Sequence, residues 1–440
     1  MKIKSTTAAT LITLLLLGGL LEGSSSPATA SGTAYYLSDA GSDSNVGTSA
    51  DSPWKSLAKI NDTVLGPGDT VSFRRGDSWT GGVVVNQSGT ARQAITLNGY
   101  GSGSPPTILV GQSGNCVRIA GNFVTVDGLR AEGCGYAGFS IHGDNGIVKN
   151  STAANNAAGI QVGNGSDFGS YADNTLADNN IMNVNTPGVS CGTPDAVDCS
   201  DDSGAFGVLI NGNDNEFSGN TITGSTATSY DFSHDGSAIE IFNGNRNRIH
   251  HNVAIDNNVF SEIGRSEGTA DGNTFSYNLI RSSCGASCSQ AMGLIVRGPT
   301  SSFGPTNGTI FEHNTVWLNG HDSQAVVCHA SCPSSSVIRA NILVAVRNSI
   351  WMDGSGWTEQ QNVLNGPTNI APDGTSTTEP AAFVKVPADL RLLSTSPAID
   401  RAGGTPFSGD LAGRTVPENG DCTGTSTADA GALEYKAPSC

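Results

Sequence analysis

Two glutamates lie where a charged side chain is least expected, in the middle of short apolar runs. Glu240 is the fourth residue of Ser-Ala-Ile-Glu-Ile-Phe (237–242), and Glu262 is the fourth residue of Val-Phe-Ser-Glu-Ile-Gly (259–264). Solvation alone would not put a carboxylate in such a run, because charged side chains are rarely buried without a partner. Both glutamates are therefore candidates for chemistry.

A close pair of carboxyl groups can cleave a glycosidic bond. If the two runs are neighbouring strands, about 5 Å separates the side chains. Carboxyl groups that close cannot both ionise freely, so one of them has a raised pKa. A separation of about 5–5.5 Å favours a retaining mechanism, whereas about 6.5–9.5 Å favours an inverting one. We predict Glu240 and Glu262 as the acid/base and the nucleophile, in either order, with Asp235 as a more distant reserve acid.

Alternation along the strands predicts which side chains share a face with these glutamates. It directs Ile239 and Ile241 inward, so Glu240 and Phe242 face outward. Aligning the apolar runs predicts one outward column, which contains Gln161, Leu209, Glu240, Glu262, Ile295, Val327 and Trp351.

Four residues on or beside this column are candidate substrate contacts. Arg297 and His329 end two of the aligned runs, while Phe242 and Trp351 offer aromatic faces for sugar rings. Each of these four residues could instead have a purely structural role, in packing or at the end of a strand.

A quasi-repeat supplies the elements that would position these side chains. Its unit is Asn, any residue, an apolar residue, two more, then Asn, as in residues 215–220, 247–252 and 273–278. Short strands recurring at such intervals are typical of a solenoid, in which each coil pairs with the next. Asparagine tolerates the left-handed turn conformation and can bond to its equivalent one coil away. The predicted ladder comprises Asn150, Asn220, Asn252, Asn278, Asn314 and Asn341.

The two ends of the chain differ from the repeat. Residues 1–30 have a basic start, an apolar run and Ala-Thr-Ala, as in a cleaved signal peptide, so we predict a secreted, extracellular protein without a membrane anchor. We predict that residues 31–80 form an entry strand and a capping helix. The helix would start at Ser52-Pro53 and continue through Trp54–Ile60. We predict that residues 81–362 form the coils and that residues 363–440 form a closing segment.

Ten cysteines follow the predicted signal, and an even number in a secreted chain favours disulfides over metal sites. Their spacing suggests five pairs: Cys116 with Cys134, Cys191 with Cys199, Cys284 with Cys288, Cys328 with Cys332, and Cys422 with Cys440.

The formal charge of −17 argues against a nucleic-acid binder, which would need a basic face. We predict no required cofactor. A calcium ion is compatible with an acidic polysaccharide substrate, but no ligand motif supports it. The sequence specifies no oligomeric state.

The entry segment and the Asn repeat together resemble the pectate-lyase-like superfamily of secreted carbohydrate-active enzymes, over nearly all of the mature chain. The resemblance implies an all-β, right-handed parallel β-helix and a polysaccharide as binding partner. Within it, the stacked glutamates resemble the paired acids of β-helix glycosidases, which makes glycoside hydrolysis our first hypothesis.

Two other functions remain open. A polysaccharide lyase of this type would carry a lysine shortly after the Glu-Ile strand, and residues 242–248 contain none. The lyase alternative would have to use Arg246, Arg248, His250 or His251. A non-catalytic glycan-binding protein would instead use exposed aromatic side chains, for which Trp317, Trp351 and Trp357 are the candidates.

Overall fold

The computed structural model describes residues 32–111, 114–186, 202–332, 335–420 and 422–438. The predicted signal peptide lies outside these ranges. Among the described residues, no helix combines the length and the apolar character that crossing a membrane requires.

Almost all of the regular structure lies in three long sheets. Sheet A contains 12 strands: β1 (Ala34–Leu37), β2 (Thr70–Arg74), β5 (Ile95–Tyr100), β8 (Val124–Asp127), β11 (Ile147–Lys149), β14 (Ser170–Ala172), β19 (Glu216–Ser218), β24 (Arg248–His250), β27 (Thr274–Ser276), β30 (Ile310–Glu312), β33 (Val337–Arg339) and β36 (Thr358–Gln360). Sheet B contains 11 strands: β3 (Ser78–Thr80), β6 (Thr107–Gly111), β9 (Arg130–Cys134), β12 (Thr152–Ala154), β15 (Thr175–Ala177), β20 (Thr221–Thr223), β25 (Val253–Ile255), β28 (Leu279–Ser282), β31 (Thr315–Leu318), β34 (Ile342–Val344) and β37 (Val363–Asn365). Sheet C contains 10 strands: β4 (Val83–Val85), β7 (Val117–Ile119), β10 (Ala137–Ile141), β13 (Ala158–Val162), β18 (Phe206–Ile210), β23 (Ser237–Phe242), β26 (Val259–Gly264), β29 (Met292–Arg297), β32 (Gln324–His329) and β35 (Asn348–Met352).

The remaining elements are short and lie between or after the coils. They are the helix α1 (Leu57–Asn61), a 3-10 turn (Gly285–Cys288), and three antiparallel pairs: β16 (Met182–Val184) with β17 (Ser203–Gly204), β21 (Ala227–Ser229) with β22 (Ser233–Asp235), and β38 (Phe383–Lys385) with β39 (Asp389–Leu392).

The chain visits the sheets in the order B, C, A in every coil, and each strand pairs in parallel with its equivalent one coil away. The inward positions of successive coils therefore stack into one apolar core. In sheet A, for example, Phe217, Ile249, Phe275 and Phe311 lie in register and are fully buried. The predicted all-β parallel β-helix is confirmed.

Buried asparagines form a ladder at the turn from sheet A to sheet B. The side-chain oxygen of each accepts a hydrogen bond from the backbone N–H of the one before, as Asn252 does from Asn220 at 3.0 Å. The members are Asn174, Asn220, Asn252, Asn278, Asn314, Asn341 and Asn362. Five of the six predicted ladder residues are thus confirmed.

Asn150 is the exception, and its place in the turn explains why. It lies one position earlier, with φ of 50°, is exposed, and bonds to half-buried Asp127, while Ser151 occupies the ladder position. The conformational reason given for the ladder was also wrong. The left-handed residue is the one before each ladder asparagine, as at His251 (φ 55°) and Tyr277 (φ 53°).

The capping helix is shorter than predicted. It spans Leu57–Asn61, after Ser56, and does not start at Ser52-Pro53. The reason is that Trp54 pairs with the entry strand, donating its N–H to the Tyr36 carbonyl oxygen at 2.8 Å. The helix still covers the end of sheet C, since the Asn61 side chain bonds to Val84 of the edge strand β4 and to Gly82 just before this strand.

The predicted closing segment begins with β37, which still pairs as the last strand of sheet B. After the β38–β39 pair, the chain returns along the turns between sheets A and B. There Gly431 donates to the Ala340 carbonyl oxygen at 2.8 Å, and a ring nitrogen of His313 lies 2.7 Å from the Gly404 carbonyl oxygen.

Three predicted disulfides are present: Cys116–Cys134, Cys284–Cys288 and Cys328–Cys332. Cys191, Cys199 and Cys440 lie outside the described residues, so the other two pairings stay predictions.

Candidate active site

Glu240 and Glu262 lie directly opposite each other on adjacent strands of sheet C. The register pairs Glu240 of β23 with Glu262 of β26, with Leu209 and Ile295 in the flanking strands. The column predicted from Gln161 to Trp351 is in register throughout. Adjacent strands are about 4.8 Å apart, so the structure supplies the close carboxyl pair.

The strand pattern explains why both glutamates reach the surface. In β23, Ile239 and Ile241 are fully buried, whereas Glu240 and Phe242 keep part of their surface. Burying the two isoleucines fixes the orientation of the strand, since a shift by one residue would turn them to solvent. The predicted outward orientation is correct.

Glu240 has an environment that favours its protonated form. Burial raises its pKa well above the usual range, and the negative charges of Glu262 and Asp235 raise it further. The Ser237 hydroxyl donates to the Glu240 carboxylate at 2.8 Å and, like the charge of Arg297, opposes this rise. Glu240 therefore holds its proton to higher pH than an ordinary glutamate does.

Glu262 has a different environment because it contacts a cation. The Arg297 guanidinium, on the next strand β29, forms an ion pair and a hydrogen bond with its carboxylate. Both side chains are about one quarter exposed, at 24% each. The two glutamates thus have unlike surroundings, because Glu262 bonds to the Arg297 guanidinium and Glu240 bonds to the Ser237 hydroxyl.

Asp235 lies at the edge of the pair. It ends β22, is separated from β23 by Gly236, and accepts a hydrogen bond from the Gly236 N–H at 2.7 Å. Its charge acts on Glu240 but ranks below that of Glu262. The role of Asp235 as a reserve acid stays a prediction.

The other predicted contact residues lie at increasing distances on the same face. His329 is in register with Arg297, and Trp351 is three strands beyond Glu262, or about 14 Å. Desolvation lowers the pKa of His329, and the charge of Arg297 lowers it further. Trp351 is 37% exposed and donates its indole N–H to Asp353 at 3.1 Å.

Two residues near the glutamates were not singled out from the sequence. Ser237 lies in the Glu240 run itself, and Phe303 lies in the loop after β29. The Phe303 ring meets that of Phe242 at a centroid distance of 6.3 Å. The only sequence signal for Phe303 is a lone aromatic residue in a loop rich in Ser, Gly and Pro.

The candidates for the lyase alternative lie away from the glutamates. Arg248 and His250 belong to β24 of sheet A and contact Glu216. Arg246 pairs with Asp214, and His251 contacts the Gly409 carbonyl oxygen of the closing segment.

Two of the three predicted aromatic contacts also lie elsewhere. Trp317 belongs to β31 of sheet B, and Trp357 packs partly buried against the core. Trp351 alone of the three shares the face of the glutamates.

Among the described parts of the chain, one group of three potential metal ligands comes together: Asp256, Cys284 and Cys288. The two cysteines form a disulfide and so offer no thiolate. The calcium ion considered from the sequence stays a prediction.

Comparisons with known proteins agree with this architecture. No family model matches the chain. A stretch of 91 residues, 20% of this chain, is 40% identical to a lacto-N-biosidase of Bifidobacterium longum subsp. longum, of whose length it spans 6%. Pectate lyase Pel9A superposes with a TM-score of 0.61 at 14% identity, covering 92% of this chain and 97% of that one. A complex of XylC with xylose gives 0.54 at 9% identity, over 77% and 76%. At such identities the structural likeness shows the fold.

Proposed function

We propose that this protein hydrolyses glycosidic bonds in an extracellular polysaccharide, with Glu240 as the general acid and Glu262 as the nucleophile. One observation carries the proposal: two carboxyl groups lie in register on adjacent strands, Glu240 with a raised pKa and Glu262 ion-paired with Arg297. Environments that separate the protonation of two neighbouring acids are how an acid and a nucleophile are assigned.

The proposed reaction proceeds in two steps. Glu240 donates its proton to the glycosidic oxygen as the bond to the anomeric carbon breaks, while the Glu262 carboxylate attacks that carbon and forms an ester. Glu240, now a carboxylate, then takes a proton from water. That water attacks the anomeric carbon, and the bond between this carbon and the Glu262 oxygen breaks, which releases Glu262 as a carboxylate. The strand spacing fits this retaining mechanism, which needs carboxyl groups about 5–5.5 Å apart.

The sequence match with a lacto-N-biosidase supports glycosidase activity, and the position of the basic side chains disfavours β-elimination. A lyase needs a neutral base near the substrate. The basic residues that follow the Glu240 strand lie away from the glutamates. Arg297, which lies beside them, is ion-paired with Glu262 and so keeps its proton. We further propose that the protein is secreted, as the first 30 residues predict, because its substrate would be extracellular.

The test is cleavage of neutral and uronate polysaccharides by the Glu240→Gln and Glu262→Gln variants, with exposed Glu267→Gln as the matched control. We expect each site variant to lose about 10²–10⁴-fold in turnover while still binding the substrate, and the control to match the wild type. Reducing ends and the ultraviolet absorbance of unsaturated products are followed together.

The outcomes separate the candidate functions. Reducing ends that grow without absorbance support hydrolysis, and product anomers by NMR report retention or inversion. Absorbance that grows with the reducing ends would establish a lyase. Binding without cleavage by the wild type would favour a glycan-binding protein, and full activity of both site variants would remove the assignment of the glutamates.

A further inference from the structure

The loop that follows β29 folds back onto the arginine that ends this strand. Thr306 donates its N–H to the Arg297 carbonyl oxygen at 3.0 Å, and Gly304 donates to Ser301 at 3.2 Å. The Phe303 carbonyl oxygen accepts the N–H of Arg265, from the loop of the preceding coil, at 3.0 Å. These bonds fix the backbone of Phe303 beside sheet C.

The position of Phe303 matters because its ring lies against the Arg297 guanidinium. The guanidinium carbon is 5.4 Å from the ring centroid, within the range of about 6 Å for a cation–π contact. The same guanidinium contacts Glu262, so it lies between the ring and the carboxylate. Since the Arg297 side chain is only 24% exposed, the contact is partly shielded from water.

The preceding strands are shaped to admit this ring. Phe242, on the strand of Glu240, meets Phe303 with an angle of 61° between the ring planes. Gly264 is the register partner of Phe242 on the strand of Glu262. A Cβ atom at Gly264 would lie 3.3 Å from the Phe242 ring and 3.6 Å from the Phe303 Cβ. A side chain at this position would therefore crowd the space where the rings meet.

We propose that Phe303 is a positioning residue, which holds the Arg297 guanidinium on the Glu262 carboxylate and thereby fixes the direction of the nucleophile. The effect of Phe303 on catalysis rests on the proposed function, whereas its effect on the position of the Arg297 side chain does not. An arginine side chain adopts many rotamers when it is free, and a fixed ring face restricts the orientations open to it.

The test compares three substitutions at Phe303. Phe303→Leu and Phe303→Met keep an apolar side chain but remove the ring face, and Met preserves volume if the Leu variant loses the fold. Phe303→Tyr keeps the ring face. The matched control is Phe407→Leu, because Phe407 makes the same kind of contact, at 5.6 Å, with Arg248 beside Glu216 on another face.

The first readout needs no substrate: the carboxyl titration of Glu240, followed by NMR and assigned with Glu240→Gln. Arg297 lowers the pKa of Glu240, so an arginine released from the pair should let that pKa rise. We expect this rise in the Leu and Met variants, and no change in the Tyr variant or the Phe407 control. In a variant that already carries Arg297→Met, the Phe303→Leu substitution should not change the pKa of Glu240 further.

The second readout is turnover. We expect kcat to fall about 10-fold in the Leu and Met variants, with KM within about 2-fold. A Glu240 titration that stays unchanged in folded Leu and Met variants overturns the proposal, and so does a raised KM with unchanged kcat, which would make Phe303 a sugar-stacking surface. If the titration moves as expected but the wild type cleaves no polysaccharide, the proposed function fails while the positioning role stands.

Discussion

At the scale of single residues, the proposed chemistry depends on how the neighbours of Glu240 set its pKa. Burial, Glu262 and Asp235 raise this pKa, while Ser237 and Arg297 lower it. A general acid works only while it is protonated, so activity should be lost as pH rises through the pKa of Glu240. The position of the alkaline limb of the pH–rate profile, compared between the wild type and single variants, therefore shows how each neighbour shifts the pKa of Glu240.

Removing the Ser237 hydroxyl should move that alkaline limb to higher pH. The hydroxyl stabilises the ionised form of Glu240, so Ser237→Ala should raise the pKa and keep the acid protonated longer. The measurement is kcat/KM against pH. Ser261→Ala is the control, because Ser261 is fully buried on the neighbouring strand, opposite inward-facing Ile239.

The Asp235→Asn variant should move the same alkaline limb in the opposite direction. Its charge raises the pKa of Glu240, so its removal should move the alkaline limb to lower pH, opposite to Ser237→Ala. Two limbs that move in the same direction would contradict the assignment of Glu240 as the acid.

At the scale of elements, the asparagine ladder fixes how one coil sits on the next. Asn278 is fully buried; its oxygen accepts from the Asn252 backbone at 3.0 Å, and its amide donates to the Ile249 carbonyl oxygen at 3.0 Å. Asn278→Ala should cost about 2–4 kcal/mol of unfolding free energy, because it leaves buried groups without partners. Urea unfolding measures this loss.

The control for the ladder is Asn150→Gly, which tests a residue outside it. Asn150 is exposed and left-handed, a conformation that glycine adopts freely, so its replacement should change the unfolding free energy by no more than about 0.5 kcal/mol. Equal losses in the two variants would show that the buried ladder carries no special share of the stability.

The elements also show what the sequence could predict. The strand register followed from alternating apolar residues, because burying Ile239 and Ile241 leaves one orientation for β23. The prediction for Asn150 was wrong by one position. Asn145 and Asn150 have the same five-residue spacing as the other copies of the repeat, but in this coil the ladder position falls on Ser151, one residue later. Trp54 was assigned to a helix because local periodicity does not reveal its pairing with the entry strand. Phe303 was missed because loops carry no periodic pattern.

At the scale of the whole molecule, buried carboxyl groups of the closing segment bond to the backbone of the same segment. Asp429 accepts the N–H of Asp400 at 2.8 Å, and Glu434 accepts the N–H of Asp429 at 3.0 Å. Two residues after Asp429, Gly431 docks on the coils at φ of 99°, where a Cβ atom would lie 2.7 Å from Thr315. The docked region is therefore next to groups whose charge depends on pH.

The pH dependence of this segment follows from the direction of the pKa shifts. Burial raises the pKa of Asp429 from 3.8 to about 8 and that of Glu434 from 4.5 to about 7. The unfolded segment thus loses its protons at lower pH than the folded one. Between about pH 4 and pH 8 the folded state binds more protons, so stability falls as pH rises across this window.

We therefore expect the backbone amides of residues 398–420 and 422–435 to exchange with deuterium faster, relative to the intrinsic rate, at pH 8 than at pH 5.5, while those of sheet C change little. Asp429→Asn should flatten this dependence, because the amide does not titrate. Asp389→Asn is the control, since Asp389 is paired with Arg391 and its pKa of about 2 lies below the window. Protection that rises with pH, or the same slope in the Asp429→Asn variant, would show that these buried acids do not govern the docking of the segment.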